Sequence, residues 1–350
     1  MINGSVLVCY GTRPEIIKLV PVIRELGRRH ISYITVFTGQ HKDLYRDVAH
    51  LIPPPDFSLK IAGHNRSLCK IGEQIFLTLP GVFKKTRPSI CIVHGDTATA
   101  AIGALAASYS GIPVGHVEAG LRTYDIEQPY PEEINRQIIA RLSLFNWAPT
   151  QISAENLRNE HVVHVSYTGN TIVDMCNEYP FKCEYGNEVL ITLHRRENFG
   201  NVLERLCKEI DQLAIMNPSL RFLFPMHPNP NVQAMKPLLP HVSLIDPLPY
   251  PELLELLARC RCVITDSGGI QEECAFYKKK VLVCRQKTER PEGVEAGFVR
   301  LVGDNIKNNF AWAADDPVWK GRNPYDDGKA RIRIVNDIEK FLKKRRKQYV

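Results

Sequence analysis

Short apolar runs alternate with helical patterns along the whole chain, and this alternation limits the possible folds more than any other feature. Segments 5–10, 90–94 and 113–118 have the composition of fully buried strands. Strands that alternate with helices form parallel sheets covered by helices on both faces, so the sequence predicts an α/β fold. Further strands are predicted at 31–38, 144–148, 189–193, 221–226, 242–245, 263–265 and 281–284, and helices at 15–29, 99–110, 131–141, 202–216, 251–260, 269–277 and 330–347.

The length of the chain predicts two domains. A chain of 350 residues exceeds one ordinary core and fits two domains of roughly 150 to 180 residues each. The segment 165–170, VSYTGN, reads as a turn between two patterns, after which the alternation of strands and helices starts again. Two similar α/β halves imply a cleft between them, lined by the loops at the carboxyl ends of the strands.

Composition and cysteine usage indicate a cytoplasmic protein. No apolar stretch approaches the roughly 20 residues that a membrane span needs, and the first residues lack the basic leader of a signal peptide. The ten cysteines form neither a CxxC pair nor a zinc-binding spacing. We therefore expect buried free thiols in a reducing compartment, without membrane association.

The net charge of +7 does not by itself indicate a nucleic-acid partner. Recognition of nucleic acid needs a basic face with stacking aromatic residues or a known module, and the sequence shows neither. The basic tail suits a solvated helix end, where cations complement the helix dipole. The remaining positive charge suits a polyanionic substrate such as a nucleotide diphosphate. The tail contributes Lys340, Lys343, Lys344, Arg345, Arg346 and Lys347.

The segment after the first strand, GTRPE at 11–15, has the features of an anion site. Gly11 permits a tight turn there, and the start of the following helix offers free N–H groups. Arg13 and Lys18 add fixed positive charge. The alternative is a helix start with a surface arginine.

Three carboxylates follow strand ends in the first half. Asp96 lies in HGDT, Glu118 in HVEAGLR and Glu132 in PEEINR. Because crowded carboxylates shift each other's pKa values apart, three of them at one sheet edge suggest acid/base chemistry. Each of them could instead pair with an arginine.

Strand ends in the second half carry basic and glycine-rich motifs. His194 with two following arginines suits a diphosphate, although a surface basic cluster is the alternative. In DSGGIQEE at 266–273, Ser267 caps a helix, and Gly268 and Gly269 let a phosphate approach its N–H groups. Glu273 can accept hydrogen bonds from ribose hydroxyls.

The fingerprints of common nucleotide-dependent enzymes do not occur in this sequence. It contains no GxGxxG, GxxxxGK[ST] or HExxH, which disfavours nicotinamide dehydrogenases and P-loop kinases. From the residues alone, the prediction is a two-domain α/β enzyme acting on a sugar nucleotide or a similar anion.

Seven motifs occur in the order GTRPE, HGDT, HVEAGLR, PEEINR, LHRREN, DSGGIQEE and TERPE. In their order and spacing, over nearly its whole length, the chain resembles the non-hydrolysing UDP-N-acetylglucosamine 2-epimerases. The resemblance implies two Rossmann-like domains facing a cleft, the glycosyltransferase-B-like architecture, with a C-terminal helix crossing back to the first domain. The first domain then comprises 1–168 and 334–350, and the second, which binds UDP, comprises 169–333.

The resemblance also implies roles for individual residues. Asp96, Glu118 and Glu132 become the acid/base carboxylates, and His194 joins them at the active site while holding UDP. Bacterial members of the family bind a second UDP-N-acetylglucosamine as an activator, and one glutamine of that site aligns with Asp43 here. The substrate-binding positions are Arg13, Lys18, Ser267, Gly268, Gly269, Glu273 and Arg290, and the activator positions are Gln40, Arg66, Glu132, Arg195 and His227.

The activity implied by the resemblance is reversible epimerisation at C2 of UDP-N-acetylglucosamine, without a cofactor or metal, by a homodimer. UDP leaves C1 while a carboxylate removes the C2 proton, and then UDP adds back. Three alternatives stay open at this point: a hydrolysing epimerase, a glycosyltransferase of the same architecture, and an inactive nucleotide-sugar sensor. The carboxylates of the first half and the complete set of motifs argue against the first two. The presence of Asp96, Glu118, Glu132 and His194 argues against the third.

Overall fold

The computed structural model of the chain describes residues 5–40, 47–59 and 67–348, with the side chains of 346–348 left aside. These residues form two compact units, Met1–Met175 with Tyr325–Val350, and Cys176–Pro324. Each unit is built on one parallel sheet. The boundaries predicted from the sequence lie at 168/169 and 333/334.

The first unit contains a seven-stranded sheet in the order β3-β2-β1-β4-β5-β6-β7. The central strands β1 and β4 are buried along their whole length, because helices cover both faces of the sheet. The strands are β1 Val6–Tyr10, β2 Tyr33–Phe37, β3 Phe57–Ser58, β4 Ile90–His94, β5 Val114–Val117, β6 Phe145–Ala148 and β7 Val165–Tyr167. The helices are α1 Arg13–Arg28, α2 Leu68–Thr86, α3 Ala98–Tyr109, α4 Glu132–Leu142, α5 Gln151–Asn159, α6 Thr171–Cys176 at the unit boundary, and α13 Ala330–Gln348.

The second unit contains a six-stranded sheet in the order β10-β9-β8-β11-β12-β13. Its strands are β8 Glu188–Thr192, β9 Arg221–Pro225, β10 Ser243–Ile245, β11 Cys262–Thr265, β12 Val281–Val283 and β13 Val299–Leu301. Its helices are α7 Asn201–Met216, α8 Pro230–Gln233, α9 Tyr250–Arg259, α10 Gly268–Phe276, α11 Pro291–Glu295 and α12 Lys307–Ala314. Short 3-10 turns lie at Ala49–Leu51 in the first unit and at Arg196–Asn198 and Lys236–Leu238 in the second.

The C-terminal helix α13 packs on the first unit. The side chain of Arg29 at the end of α1 donates to Asn336 (2.6 Å) and contacts Glu339 (3.2 Å). The indole of Trp147 in β6 donates to Asp337 at 3.1 Å. Two Rossmann-like units, with the last helix packed on the first, confirm the predicted fold class.

Several elements differ from the sequence prediction. Residues 165–167, predicted as part of a turn, form the edge strand β7, which pairs with β6. The long helix α2 was not predicted, although Ile71, Ile75 and Leu79 repeat at the spacing of a buried helix face. The other unpredicted elements are α5, α6, α8, α11, α12, β3 and β13.

All ten cysteines are free thiols, as the sequence predicts. Eight of them are buried, and burial raises the pKa of such thiols, for example that of Cys91 to about 12. Cys69 and Cys183 are exposed, which corrects the expectation of uniformly buried thiols. Among the described residues, no helix has the length and apolar character needed to cross a membrane.

Candidate active site

In each sheet the strand order reverses at one place. The reversal lies between β1 and β4 in the first unit, and between β8 and β11 in the second. Loops at the carboxyl ends of strands diverge at such a point and leave a crevice in which α/β proteins bind ligands. Most of the predicted site residues lie at or near one of these two carboxyl edges.

The loop after β1 is organised around the buried carboxylate of Glu15. Its Oε2 atom accepts from the backbone N–H groups of Gly11 (3.0 Å) and Thr12 (2.8 Å) and from the Thr12 hydroxyl (2.8 Å). Its Oε1 atom accepts from the hydroxyl of Thr97, at 2.8 Å, in the loop after β4. Burial raises the pKa of Glu15 to about 7, against the opposing effect of these hydrogen bonds. No role for Glu15 was predicted from the sequence.

Gly11 is a glycine for a reason that the sequence did not reveal. Its φ lies outside the left-handed region, so a tight turn does not require glycine here. A Cβ atom would instead lie 2.1 Å from the hydroxyl of Thr38 and 2.3 Å from that of Thr99. These two hydroxyls are hydrogen-bonded at 2.8 Å, and Gln40 accepts from the N–H of Thr99 at 3.0 Å. Close approach of neighbouring strand-end loops therefore explains the glycine.

Arg13 is the first residue of α1, and its guanidinium lies 3.7 Å from the carboxylate of Asp47. The side chain is 18% exposed, so an incoming anion can reach it. Lys18, one turn further along α1, is buried, and its ammonium forms an ion pair with Glu118. Lys18 thus has a carboxylate partner that was not predicted from the sequence.

Asp96, after β4, is held by α4. The guanidinium of Arg136 donates to its Oδ2 atom at 2.9 and 2.6 Å, and Asn135 donates to its backbone oxygen at 2.7 Å. Arg136 is fully buried and also contacts Glu133 at 3.1 Å. The alternative left open from the sequence, a carboxylate paired with an arginine, therefore describes Asp96. The pairing fixes the position of its carboxylate.

Glu118, after β5, lies between two basic side chains. Its Oε2 atom contacts the ammonium of Lys18 and lies 3.7 Å from the Nε2 atom of His94. Its backbone has a φ of +65°, a left-handed conformation that non-glycine residues seldom adopt and that recurs at functional sites. Asp96 and Glu118 thus each have a cation beside them, Arg136 and Lys18 respectively.

Glu132 and His116 are the remaining acidic and basic side chains considered in this part of the first unit. Glu132 is the first residue of α4 and is half-buried. His116, at the end of β5, is fully buried, and burial lowers its pKa to about 3. The imidazole is therefore neutral, and its Nε2 atom donates to the backbone oxygen of Gly95 at 2.7 Å. It thereby braces the turn that precedes Asp96.

In the second unit, the buried carboxylate of Asp266 organises the crevice. It accepts from the backbone N–H of His194 at 3.0 Å, from that of Arg195 at 2.9 Å and from the side chain of Asn198 at 3.0 Å. The ring of His194 stacks on that of His227, with centroids 5.4 Å apart. Asp266 was predicted only as a member of its motif, without a role, although a carboxylate directly after a strand was a usable signal.

At the start of α10, the two glycines of the motif DSGGIQEE have different surroundings. A Cβ atom on Gly268 would lie 2.4 Å from the guanidinium of Arg290, whereas one on Gly269 would meet nothing within 4 Å. Gly268 therefore accommodates Arg290, and open space lies at Gly269. Ser267 occupies the N-cap position, but its hydroxyl makes no capping hydrogen bond, which corrects that prediction.

Arg290 is itself buried between two carboxylates. Its Nε atom donates to Glu272 at 2.7 Å, and its Nη1 atom contacts Glu289. Glu273, which follows Glu272 on helix α10, is buried as well. The predicted contacts of Arg290 with a diphosphate and of Glu273 with a ribose stay predictions.

The predicted activator residues are divided among different parts of the chain. Gln40 is engaged with Thr99 in the first unit, and Arg195 and His227 lie in the second. Arg66 and Asp43 lie outside the described residues. Within the described part of the chain, no group of three or more His, Cys, Asp or Glu side chains could hold a metal ion.

Comparison with known proteins identifies the family. The family model described as UDP-N-acetylglucosamine 2-epimerase matches residues 24–339. The chain is 40% identical to the UDP-N-acetylglucosamine 2-epimerase of Campylobacter jejuni, covering 96% of this chain and 97% of that protein.

Two solved structures extend this similarity. The UDP-GlcNAc 2-epimerase of Neisseria meningitidis bound to UDP-GlcNAc has a TM-score of 0.90 and 37% identity, covering 96% of this chain and 100% of the other. The Methanocaldococcus jannaschii UDP-GlcNAc 2-epimerase in complex with UDP-GlcNAc and UDP has a TM-score of 0.85 and 32% identity, covering 96% and 99%. With the family model matching most of its length and relatives similar from end to end, this chain belongs to the UDP-N-acetylglucosamine 2-epimerase family.

Proposed function

We propose that this enzyme interconverts UDP-N-acetylglucosamine and UDP-N-acetylmannosamine. The observation that carries the proposal is the pair of constellations at the two strand-order reversals. One holds carboxylates at the end of β4, at the end of β5 and at the start of α4, and the other holds a histidine and a glycine-rich helix start. We propose that both act on the same substrate molecule.

The chemistry of the sugar explains why carboxylates and an anion site are needed together. The C2 hydrogen is not next to a carbonyl carbon, so its removal alone is too costly. Elimination solves this problem: the C1–O bond breaks, UDP departs with its electron pair, and the C2 proton moves to a carboxylate. The intermediate is 2-acetamidoglucal. A proton then returns to the opposite face of C2 while UDP re-forms the bond at C1.

Asp96, Glu118 and Glu132 supply the proton transfers in this proposal. Two faces of C2 need two different proton carriers, and three carboxylates offer enough of them. Arg136 fixes the carboxylate of Asp96, and Lys18 contacts that of Glu118, so both are held in defined positions. Preorganised positions matter because proton transfer requires hydrogen-bonding distance.

The second unit stabilises the departing UDP. The N–H groups at the start of α10, where Gly269 leaves open space, offer an anion site. His194, whose backbone is fixed by Asp266, stabilises the diphosphate as its charge grows. The proposed residues that hold UDP are His194, Ser267, Gly268, Gly269, Glu273 and Arg290, and Arg13 and Lys18 of the first unit complete the proposed substrate-binding set.

We propose that the enzyme is a homodimer that associates through α2, α3 and α4. Leu77, Tyr109 and Ile138 on these helices are exposed apolar side chains. Ile138 also lines a hollow of about 550 Å³ next to Tyr124. The change Ile138→Glu should lower the molar mass seen by light scattering, and Val163→Glu, at another exposed apolar position, is the control. A monomeric wild-type chain would contradict this part of the proposal.

Self-activation by UDP-N-acetylglucosamine belongs to the proposal as well, through Gln40, Arg66, Glu132, Arg195 and His227. The reverse reaction, started from UDP-N-acetylmannosamine alone, should then show a lag that a trace of UDP-N-acetylglucosamine removes. Linear progress curves without the trace would show that the site is lost, in keeping with Asp43. We further propose that the enzyme acts in the cytoplasm and supplies N-acetylmannosamine units for surface polysaccharide or glycan synthesis.

Proton NMR of one reaction in D2O tests the central proposal. Both epimers should acquire deuterium at C2, because a carboxylate that holds the abstracted proton can exchange it with solvent. Added NAD should not be consumed, and UDP and 2-acetamidoglucal should appear only in traces. Equal amounts of free UDP and free sugar would identify a hydrolysing epimerase instead. Retention of hydrogen at C2 after equilibration would exclude elimination.

A further inference from the structure

One side chain joins the two loops that carry the proposed chemistry of the first unit. The carboxylate of Glu15 binds the loop after β1 through Gly11 and Thr12, directly before Arg13. Its other oxygen accepts from the hydroxyl of Thr97, directly after Asp96. A single buried carboxylate thus spans the strand-order reversal between β1 and β4.

The hydroxyl of Thr97 has two partners at once. It donates to Glu15 at 2.8 Å and accepts from the backbone N–H of Ala100 at 3.0 Å, which caps α3. Three sets of contacts therefore hold this segment: Arg136 binds the carboxylate of Asp96, Asn135 binds its carbonyl, and Glu15 and the cap hold the following residue.

Capping alone does not explain the contact with Glu15. Helix α5 begins in the same way, with the hydroxyl of Thr150 accepting from the N–H of Ser153 at 3.1 Å, and there the Ser153 hydroxyl is a further partner at 2.8 Å. A buried carboxylate is costly unless its hydrogen bonds compensate for lost hydration. The link from Glu15 to Thr97 is thus an addition to an ordinary cap, and it connects α1 to α3.

We propose that Glu15 and Thr97 form a positioning bridge that fixes the carboxylate of Asp96 relative to the helix start at Arg13. The inference rests on the proposed function, because it concerns the proton-transfer step. In this proposal both act on the reaction only through the position of Asp96. Displacement of a reacting group by about 1 Å can cost on the order of 100-fold in rate, so a loosened bridge is expected to lower kcat.

Three variants test the bridge. Thr97→Val keeps the shape of the side chain but removes both the donor to Glu15 and the cap. Thr97→Ser restores both. Thr150→Val, the matched control, removes a cap of the same kind at α5, away from the proposed chemistry. We expect Thr97→Val to lower kcat about 10- to 100-fold with KM changed by less than about threefold, and Thr97→Ser to recover most of the loss.

The control separates positioning from stability. Both valine variants should lower Tm, since each loses a helix cap, but Thr150→Val should keep kcat within about twofold of wild type. If both variants lose activity only in proportion to their unfolded fraction, or if Thr97→Val keeps wild-type kcat, the bridge has no part in positioning.

Hydrogen–deuterium exchange provides a readout that does not depend on activity. Peptides covering residues 95–101 should exchange faster in Thr97→Val than in Thr97→Ser, whereas equal exchange overturns the bridge. If Thr97→Val does not fold, the variant Glu15→Gln is tested in its place. The glutamine amide can donate to the Thr97 hydroxyl and so preserve the bridge, and this variant should keep kcat within about threefold of wild type. A loss of kcat as large as that expected for Thr97→Val would contradict the bridge. A wild-type chain that folds but does not epimerise would refute the proposed function, while exchange still reports on the bridge.

Discussion

Replacing Glu15 by glutamine should change how the stability of the first unit depends on pH. Burial raises the pKa of Glu15 from 4.5 to about 7. Glu15 therefore keeps its proton up to about pH 7 in the folded chain, whereas it loses that proton near pH 4.5 in the unfolded chain. This difference in proton binding stabilises the folded chain. The contribution is fully present below pH 4.5 and is lost as the pH rises through 7.

The magnitude follows from the same pKa values. A rise from 4.5 to about 7 corresponds to about 3 kcal/mol, at about 1.4 kcal/mol for each pH unit. Most of it, roughly 2 to 3 kcal/mol, falls between about pH 5 and pH 8. The amide of Glu15→Gln does not titrate, so the free energy of unfolding of the variant minus that of wild type should rise by this amount over that interval.

Tryptophan fluorescence can follow the first unit separately. The chain has three tryptophans, and Trp147 is the one in the first unit. In a background with Trp312→Phe and Trp319→Phe, urea unfolding monitored by Trp147 reports on that unit. Asp174, whose pKa burial raises to about 6, titrates in both proteins and cancels in the difference. A difference that stays constant from about pH 5 to pH 8 would contradict the raised pKa of Glu15 and show that hydrogen bonds keep it ionised.

Three further predictions concern the proposed chemistry and the start of α10. Asp96→Asn should lower kcat by about 10²- to 10⁴-fold while leaving UDP affinity nearly unchanged; near-normal turnover would remove it from the proton-transfer residues. His194→Ala should weaken UDP binding by about 1.5–3 kcal/mol in calorimetry, the range for hydrogen bonds to charged groups, and unchanged affinity would contradict its assignment. Gly268→Ala should lose about 1–3 kcal/mol of stability because its methyl group meets Arg290, whereas Gly269→Ala, with open space, should be neutral or gain up to about 1 kcal/mol in thermal unfolding; equal effects would refute this steric explanation.

Much of the fold could be predicted because its signals are local. A central parallel strand is apolar on both faces, so β4 is readable as an apolar run, and the sequence predicted its bounds as Ile90–His94. Helix α13 was predicted to within one residue of its last residue, Gln348. The edge strands β3 and β13 have two and three residues and were missed, because pairing with a neighbour, rather than their own pattern, makes them strands.

In the candidate site, too, some features have a local sequence signal and others do not. The residues alone predict which side chains lie at the carboxyl ends of strands, because a motif that directly follows a strand has no other position. The partners of these side chains depend on the three-dimensional packing: Lys18 pairs with Glu118, 100 residues away, and Glu15 binds Thr97, 82 residues away. Such contacts leave no local pattern, because they depend on which strands become neighbours and on how deeply packing buries each charge.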